Sequence, residues 1–237
     1  MNNSAPQRIS VIIPCYNAAP YVREAIDSVL GQTCKCHEII VIDDGSTDDS
    51  AAIVANYGAA VMLVRQANQG IAATRNQGLK LAQGNLLAFL DADDYWPADS
   101  VESRLTELSA TPGLDGVFGL IDAFISPDLS SAQQQIITEM PAVQAGRLAG
   151  SLLVKRQVFE KVGDFNVDLQ VGETMDWLAR SQEQGIRFGQ VSDIVLHRRI
   201  HTTNTVRKTQ RLQADYLQVL RAAIERRRSV ATLTEDN

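Results

Sequence analysis

Long hydrophobic runs are missing from this chain. None of its apolar stretches approaches the ~18 residues that a membrane-spanning helix requires, so no span is expected. Met1 to Gln7 is short and polar, without the apolar region of a signal peptide, and a cytosolic location follows as the default. Cysteine is scarce as well. Cys15, Cys34 and Cys36 are odd in number and clustered early, which excludes a disulfide framework. Cys34-Lys35-Cys36-His37 lacks the second pair of soft ligands that a zinc site needs, and reads as reduced thiols in a loop leading into a strand. No Gly-x-Gly-x-x-Gly follows the first apolar run and no Walker sequence occurs, which disfavours dinucleotide and P-loop folds. Internal repeats are absent too.

The body also lacks an excess of positive charge. Residues 1–196 hold 13 basic and 24 acidic side chains, whereas residues 197–237 hold 9 basic and 4 acidic. That balance argues against a nucleic-acid binder with a basic face on the body, and leaves a basic tail free to meet something anionic. What remains, 45% hydrophobic and 21% charged in 237 residues, describes a globular chain able to bury a full core in one domain with a C-terminal extension.

Apolar runs then alternate with helical spacing. Ile9-Ser10-Val11-Ile12-Ile13, Glu38 to Ile42, Ala60 to Val64 and Leu86 to Leu90 read as strands. Between them, Tyr21, Ala25, Ile26, Val29 and Leu30 recur with helical period and Gly31 closes the helix; Asp49 to Tyr57 is a second helix. Asn68-Gln69-Gly70 opens a third, which runs to Ala82 with Gly84 as its stop. Strand and helix in alternation mean βαβ units and a right-handed, doubly wound sheet. Beyond Trp96 we expect a helix to Ser109, a strand from Gly116 to Ile125 and a polar loop from Ser126 to Gln144. A short helix from Arg156 to Val162, a helix starting near Gly172-Glu173, a strand from Ile186 to Leu196 and an amphipathic helix from about Thr205 to Arg228 complete the reading.

The stretch that organises the rest is Leu86-Leu87-Ala88-Phe89-Leu90-Asp91-Ala92-Asp93-Asp94. Five apolar residues make a strand buried on both faces, and it ends in three carboxylates, where an open α/β sheet places its ligand crevice. Asp91 and Asp93 are two apart and share a face in extended backbone. Such hard oxygen ligands suit Mg²⁺ or Mn²⁺ with positions open for a diphosphate. The alternative is a solvated turn that simply ends a strand.

Four turns form a set: Val11-Ile12-Ile13-Pro14-Cys15-Tyr16-Asn17, Val41-Ile42-Asp43-Asp44-Gly45-Ser46-Thr47-Asp48, Asn68-Gln69-Gly70-Ile71-Ala72-Ala73-Thr74-Arg75-Asn76 and Phe89-Leu90-Asp91-Ala92-Asp93-Asp94. In this order the set resembles the inverting family 2 nucleotide-sugar glycosyltransferases of the GT-A fold. The resemblance implies an α/β, Rossmann-like, doubly wound and mostly parallel sheet. It implies one domain over residues 1–204, with a nucleotide-sugar-binding half at 8–98 and an acceptor half at 99–204, followed by a helical extension at 205–237. Donor contacts would come from Pro14, Tyr16 and Asn17, from Asp43 and Asp44 on base and ribose, and from Asn68, Gly70, Arg75, Asp91 and Ala92. A Mn²⁺ or Mg²⁺ ion would be held by Asp93, Asp91 and the C-terminal His201.

In one place the chain departs from the pattern. The family often shows Glu-Asp at the start of the acceptor-side helix, with the Asp as general base, and this chain has Glu173-Thr174. Asp176 is the nearest remaining Asp, and three residues of helix put it on the face of Glu173; Asp176 is preferred over Glu173 as the base. Trp177 is a candidate acceptor platform or a core residue. The expected partners are a nucleotide-sugar donor, most often a UDP-sugar in the family, and a hydroxyl acceptor: a glycan, lipid-linked glycan, peptide or natural product. The basic C-terminal helix is expected to dock on its own domain or on a second subunit in a homodimer, in preference to peripheral association with an anionic membrane. A non-catalytic nucleotide-sugar-binding module is the main alternative, and a nucleotidyltransferase a further one that lacks its Gly-rich basic loop.

Overall fold

The computed structural model describes residues 7–130, 143–201, 215 and 217–226. The β-branched runs form the centre of one sheet, because side chains that stand on both faces of a pleated strand can all be covered only there. β1 (Ile9–Cys15), β2 (Glu38–Asp43), β3 (Met62–Arg65) and β4 (Leu86–Phe89) are parallel and lie in the order β3-β2-β1-β4. Alternate residues face opposite layers. Val11, Ile13, Val41 and Ala88 pack on one side with α1 (Val22–Leu30), α2 (Ser50–Ala55) and α4 (Ser100–Ala110). Ile12, Ile40, Ile42 and Phe89 pack on the other with α3 (Ile71–Leu81), α5 (Arg156–Val162) and α6 (Glu173–Glu183). A Cβ on Gly78 would stand 2.4 Å from Ile12 Cγ2, so its missing side chain lets α3 lie close on the sheet.

The second half of the sheet is mixed. β7 (Leu153–Lys155) joins β4 antiparallel, and β5 (Gly116–Ile125) pairs antiparallel with β7 and with β6 (Val143–Ala145). β8 (Phe188–Ile200) runs parallel to β5, with register shifts between Phe118 and Ile121. Two expectations are corrected here. Val143 to Ala145 is a strand, not the end of a polar loop; residues 131–142 of that loop lie outside the described residues. β8 continues to Ile200 instead of stopping at Leu196, because His197–Ile200 still pair with Asp122–Ile125, and the Tyr95 and His197 backbones exchange hydrogen bonds of 3.1 and 2.8 Å. That extension carries His201 to the end of β4. Of the amphipathic helix expected from Thr205, residues 217–226 are described and helical; the remainder lies outside the described residues.

Beneath the mixed half of the sheet, Phe89, Phe159, Phe165 and Trp177 form an aromatic cluster with centroids 4.4 to 5.9 Å apart. Each ring buried there contributes roughly 2–3 kcal/mol. Trp177 is fully buried and donates to Gly163 O at 3.0 Å, so it is a core residue and no acceptor platform.

Candidate active site

The strands β1, β2 and β4 all end on the same edge, and the turns that follow them carry the polar side chains. After β1, Asn17 adopts the left-handed conformation (φ 49°), which Asn tolerates better than most residues. Its side chain accepts from Thr47 N at 2.8 Å, and its own N–H donates to Ser46 Oγ at 2.9 Å, tying the first turn to the second. Pro14 is buried in β1, while Tyr16 stands half exposed at the rim.

After β2, Asp43 is fully buried and accepts from Arg65 Nε at 3.1 Å and Ser46 N at 3.3 Å. Asp44, also buried, accepts from Gln66 Nε2 (2.7 Å), Gln69 N (2.9 Å) and Gly70 N (2.8 Å). A carboxylate has about four lone-pair sites, so Asp44 is nearly saturated. It fixes the loop that leads into α3, taking the N–H groups of Gln69 and of the cap residue Gly70 just before the first helical residue, and its charge stands near the positive end of that helix. Gly70 (φ 86°) and Gly45 (φ 76°) take the left-handed backbone this crossing needs. Asn68 is exposed in the same loop. Asp48 bonds Ser50 N at 3.0 Å and so caps α2.

After β4 the backbone turns immediately, with Asp94 N donating to Asp91 O at 3.0 Å. Asp91 and Asp93 therefore sit on a turn instead of sharing the face of an extended strand, as their spacing had suggested, and Ala92 between them is buried. Arg75 is almost completely buried in α3. One end of its guanidinium donates to Asp91 Oδ1 at 2.6 Å and the other to Glu173. Burial alone would weaken the Arg75 cation, but Asp91 and Glu173 outweigh it and raise its pKa above the usual arginine value. The Asp91 carboxyl is pushed up by desolvation and by Asp93, against the pull of Arg75. Asn76, the next residue, exchanges hydrogen bonds of 2.8 and 3.0 Å with the backbone of Phe165. Two adjacent residues of α3 thus fasten the parallel half of the fold to Phe165 and α6 of the second half.

Asp93 Oδ2 lies 2.8 Å from His201 Nε2, and Tyr21 packs on the His201 ring at 4.9 Å. Arg199, two residues earlier, donates to Asp93 O at 3.0 Å, pairs with Glu24 and lies over Tyr21 and Phe124. Asp94 accepts from Arg199 N at 2.8 Å; burial, reinforced by Asp93 and Asp91, holds its carboxyl well above the usual carboxylate range. Sequence reasoning missed Arg199, Asp94 and Asn76 as members of the site. Arg199 was within reach of it, since a strand puts residues two apart on one face with His201.

On α6, Glu173 and Asp176 diverge. Glu173 bonds Arg75 and accepts from Thr174 Oγ1 at 2.9 Å, which places it beside Asp91. Asp176 instead faces Arg180 Nε at 2.8 Å and Arg226 Nη1 at 3.6 Å. Among the described residues no three His, Cys, Asp or Glu side chains form a closed metal cage. Asp93 and His201, with Asp91 two residues before Asp93, supply an oxygen and nitrogen set of the kind Mn²⁺ accepts when phosphate oxygens complete the shell; on this chemistry the residues fit a divalent cation. A cleft of 560 Å³ between α4 and β8, lined by Asp99, Glu102, Glu107 and Asp193 among others, opens at the far end of β8 from His201 and belongs to none of this.

A doubly wound half-sheet with acidic turns on its carboxyl edge, joined to a mixed second half, is the GT-A architecture. Residues 10–165 match the model of glycosyl transferase family 2, and the chain belongs to that family. An uncharacterised glycosyltransferase of Rickettsia typhi is 30% identical over 218 residues, covering 86% of this chain and 68% of the relative. The structure of S. aureus TarS 1-349 in complex with UDP-GlcNAc superposes with a TM-score of 0.72 over 91% of this chain and 65% of that one, at 20% identity. A mannosyltransferase from Pyrobaculum calidifontis, in complex with GDP-Man and Mn²⁺, gives a TM-score of 0.68 over 94% of this chain and 65% of that one, at 23% identity. At such identities the superpositions show the fold. The chain spans about two thirds of the length of these proteins and about a third of other relatives that it matches.

Proposed function

We propose that this chain is an inverting glycosyltransferase that moves a sugar from a nucleotide diphosphate donor, a UDP-sugar, to a hydroxyl acceptor. The observation that carries the reading is the junction of Arg75 with Asp91 and Glu173, beside Asp93 and His201. It brings donor-side and acceptor-side carboxylates to the ends of one buried guanidinium. Tyr16 offers an exposed ring to the nucleobase at the rim, above the loop that Asp44 shapes. Asp43 forms part of the floor. Asp93 and His201, with Asp91, would hold Mn²⁺ or Mg²⁺, whose chemistry is to offset the diphosphate charge as the leaving nucleotide departs.

The acceptor oxygen attacks the anomeric carbon as the bond to the diphosphate breaks, and its proton passes to a carboxylate. Glu173 is the better candidate for that base, since it stands beside Asp91 while Asp176 is turned to two arginines. Asp176 then positions α6. The neutral Thr174 beside Glu173 supports a second reading, donor binding without transfer.

The test is nucleotide release from a panel of UDP-, GDP- and dTDP-sugars with Mn²⁺, against an Asp93→Ala control. Metal-dependent release of one nucleotide, lost in the control, is the expected result. Metal-dependent binding with no release across a range of hydroxyl acceptors favours the second reading, and no binding of any nucleotide sugar overturns both.

A further inference from the structure

Residues 217–226 form a helix whose two sides are unlike. On the inner side, Val219 is buried and Arg226 pairs with Glu183 at 2.7 Å and Asp176 at 3.6 Å. Asp215, buried four residues before Val219, accepts from the backbone N–H groups of Gln170 and Val171, each at 3.2 Å. Those are the residues that lead into Gly172 and α6. The helix is therefore fastened to the loop that presents Glu173.

On the outer side lie Leu217, Leu220 and Ile224. Helical rotation of about 100° per residue places all three within about 60° of arc, opposite Val219 and Arg226. They are 51%, 55% and 50% exposed. A helix docked on its own domain turns a polar face to water; this one turns three large aliphatic side chains. Arg221 and Glu225 are exposed beside them, and past the inward-paired Arg226 the sequence continues Arg227-Arg228. Residues 205–228 hold 7 basic and 2 acidic side chains, one of the acids the buried Asp215, against 13 basic and 24 acidic in residues 1–196, which says what kind of partner fits. A second copy of the same face would bring like charges together. An anionic bilayer supplies hydrocarbon for the aliphatic stripe and phosphate for the arginines.

We propose that this face docks peripherally on an anionic lipid surface and holds the acceptor side of the site against it. No helix among the described residues is long and apolar enough to cross a membrane, so the contact is with the surface. The docking does not rest on the transferase reading; its corollary, an acceptor carried on a lipid, does.

Co-sedimentation of the purified full chain with phosphatidylcholine vesicles, with and without phosphatidylglycerol, tests it. Binding to the mixed vesicles, weakened by salt, is expected, and Leu220→Asp with Ile224→Asp should lower the partition coefficient at least about tenfold without a change in melting temperature. Arg221→Glu, which leaves the packing alone, should lower it severalfold. Equal binding to uncharged vesicles, no binding to either, or binding unchanged in both variants overturns the proposal. So does a dimer in light scattering that Leu220→Asp dissolves while no vesicle is bound, which would give the face to a second copy. Nucleotide release measured without vesicles separates failure of this docking from failure of the transferase reading.

Discussion

Asp43 and Asp44 close β2 much as Asp91, Asp93 and Asp94 close β4, on the same edge of the sheet and after equally buried strands. Their partners differ. Of the β2 pair, Asp43 pairs with the exposed Arg65, but Asp44 is held largely by backbone, accepting two N–H groups and a glutamine amide. The β4 acids lean on side chains, Asp91 on Arg75 and Asp93 on His201. Side-chain partners can be exchanged for an incoming cation or phosphate, whereas backbone donors that shape a loop cannot. On the proposed reading, two motifs of similar composition would divide the work, Asp44 shaping the site and the β4 acids meeting the cation and diphosphate.

Exchanging the deletions breaks this division most sharply. Asp93→Ala should lower donor turnover by about 10³-fold, the scale of several kcal/mol of lost charge stabilisation, and leave the melting temperature within a degree or so. Asp44→Ala should do its damage to the fold. Freed donors at the start of α3 cost about 2 kcal/mol, or about 4–8 °C for a chain of this size. Thermal melts and nucleotide release on both variants decide it. Equal loss of stability in the two would mean that the β4 acids are scaffolding as well.

The same contrast recurs on α6 with smaller effect. Glu173→Gln keeps an oxygen for Arg75 but cannot take a proton, and turnover should fall by at least about 10². Asp176→Asn should cost less than about tenfold, with a slight fall in melting temperature as Arg180 loses its carboxylate and Arg226 the more distant of its two. A larger loss from Asp176→Asn than from Glu173→Gln would return the proton to Asp176.

The central strands were legible because burial on both faces leaves a run with no alternation, as in Ile9 to Ile13 and Leu86 to Leu90. The acidic turns were legible because polar residues cannot continue such a strand. Pairings across the chain were not. Arg75 and Glu173 are 98 residues apart and Arg199 and Glu24 are 175 apart, and each side chain alone looks like an ordinary surface charge. β7 is three residues long, too short to show a period, yet it is the strand inserted between β4 and β5 that makes the second half of the sheet mixed. The family resemblance implies donor contacts for Asp43 and Asp44; that their oxygens also accept from Arg65, Ser46, Gln66, Gln69 and Gly70 is something a motif does not record.

The smallest expected effect lies inside the β4 turn. Asp94 accepts from backbone, Arg199 N at 2.8 Å, and burial together with Asp93 and Asp91 raises its pKa well above the ordinary 3.8. A raised pKa means that the folded state binds more protons than the unfolded one, so the stability Asp94 contributes is complete below the unfolded value and is lost as pH rises through the folded value. Asp94→Asn keeps a carbonyl oxygen for Arg199 N and removes the titration. The metal-free variant should therefore melt higher than the wild type at neutral pH, and the gap should close as pH falls to about 4. Melting curves in the presence of a chelator measure this directly. A gap that stays constant over that range would mean that Asp94 gains nothing from protonation, and that the β4 turn tolerates three full charges without a cation.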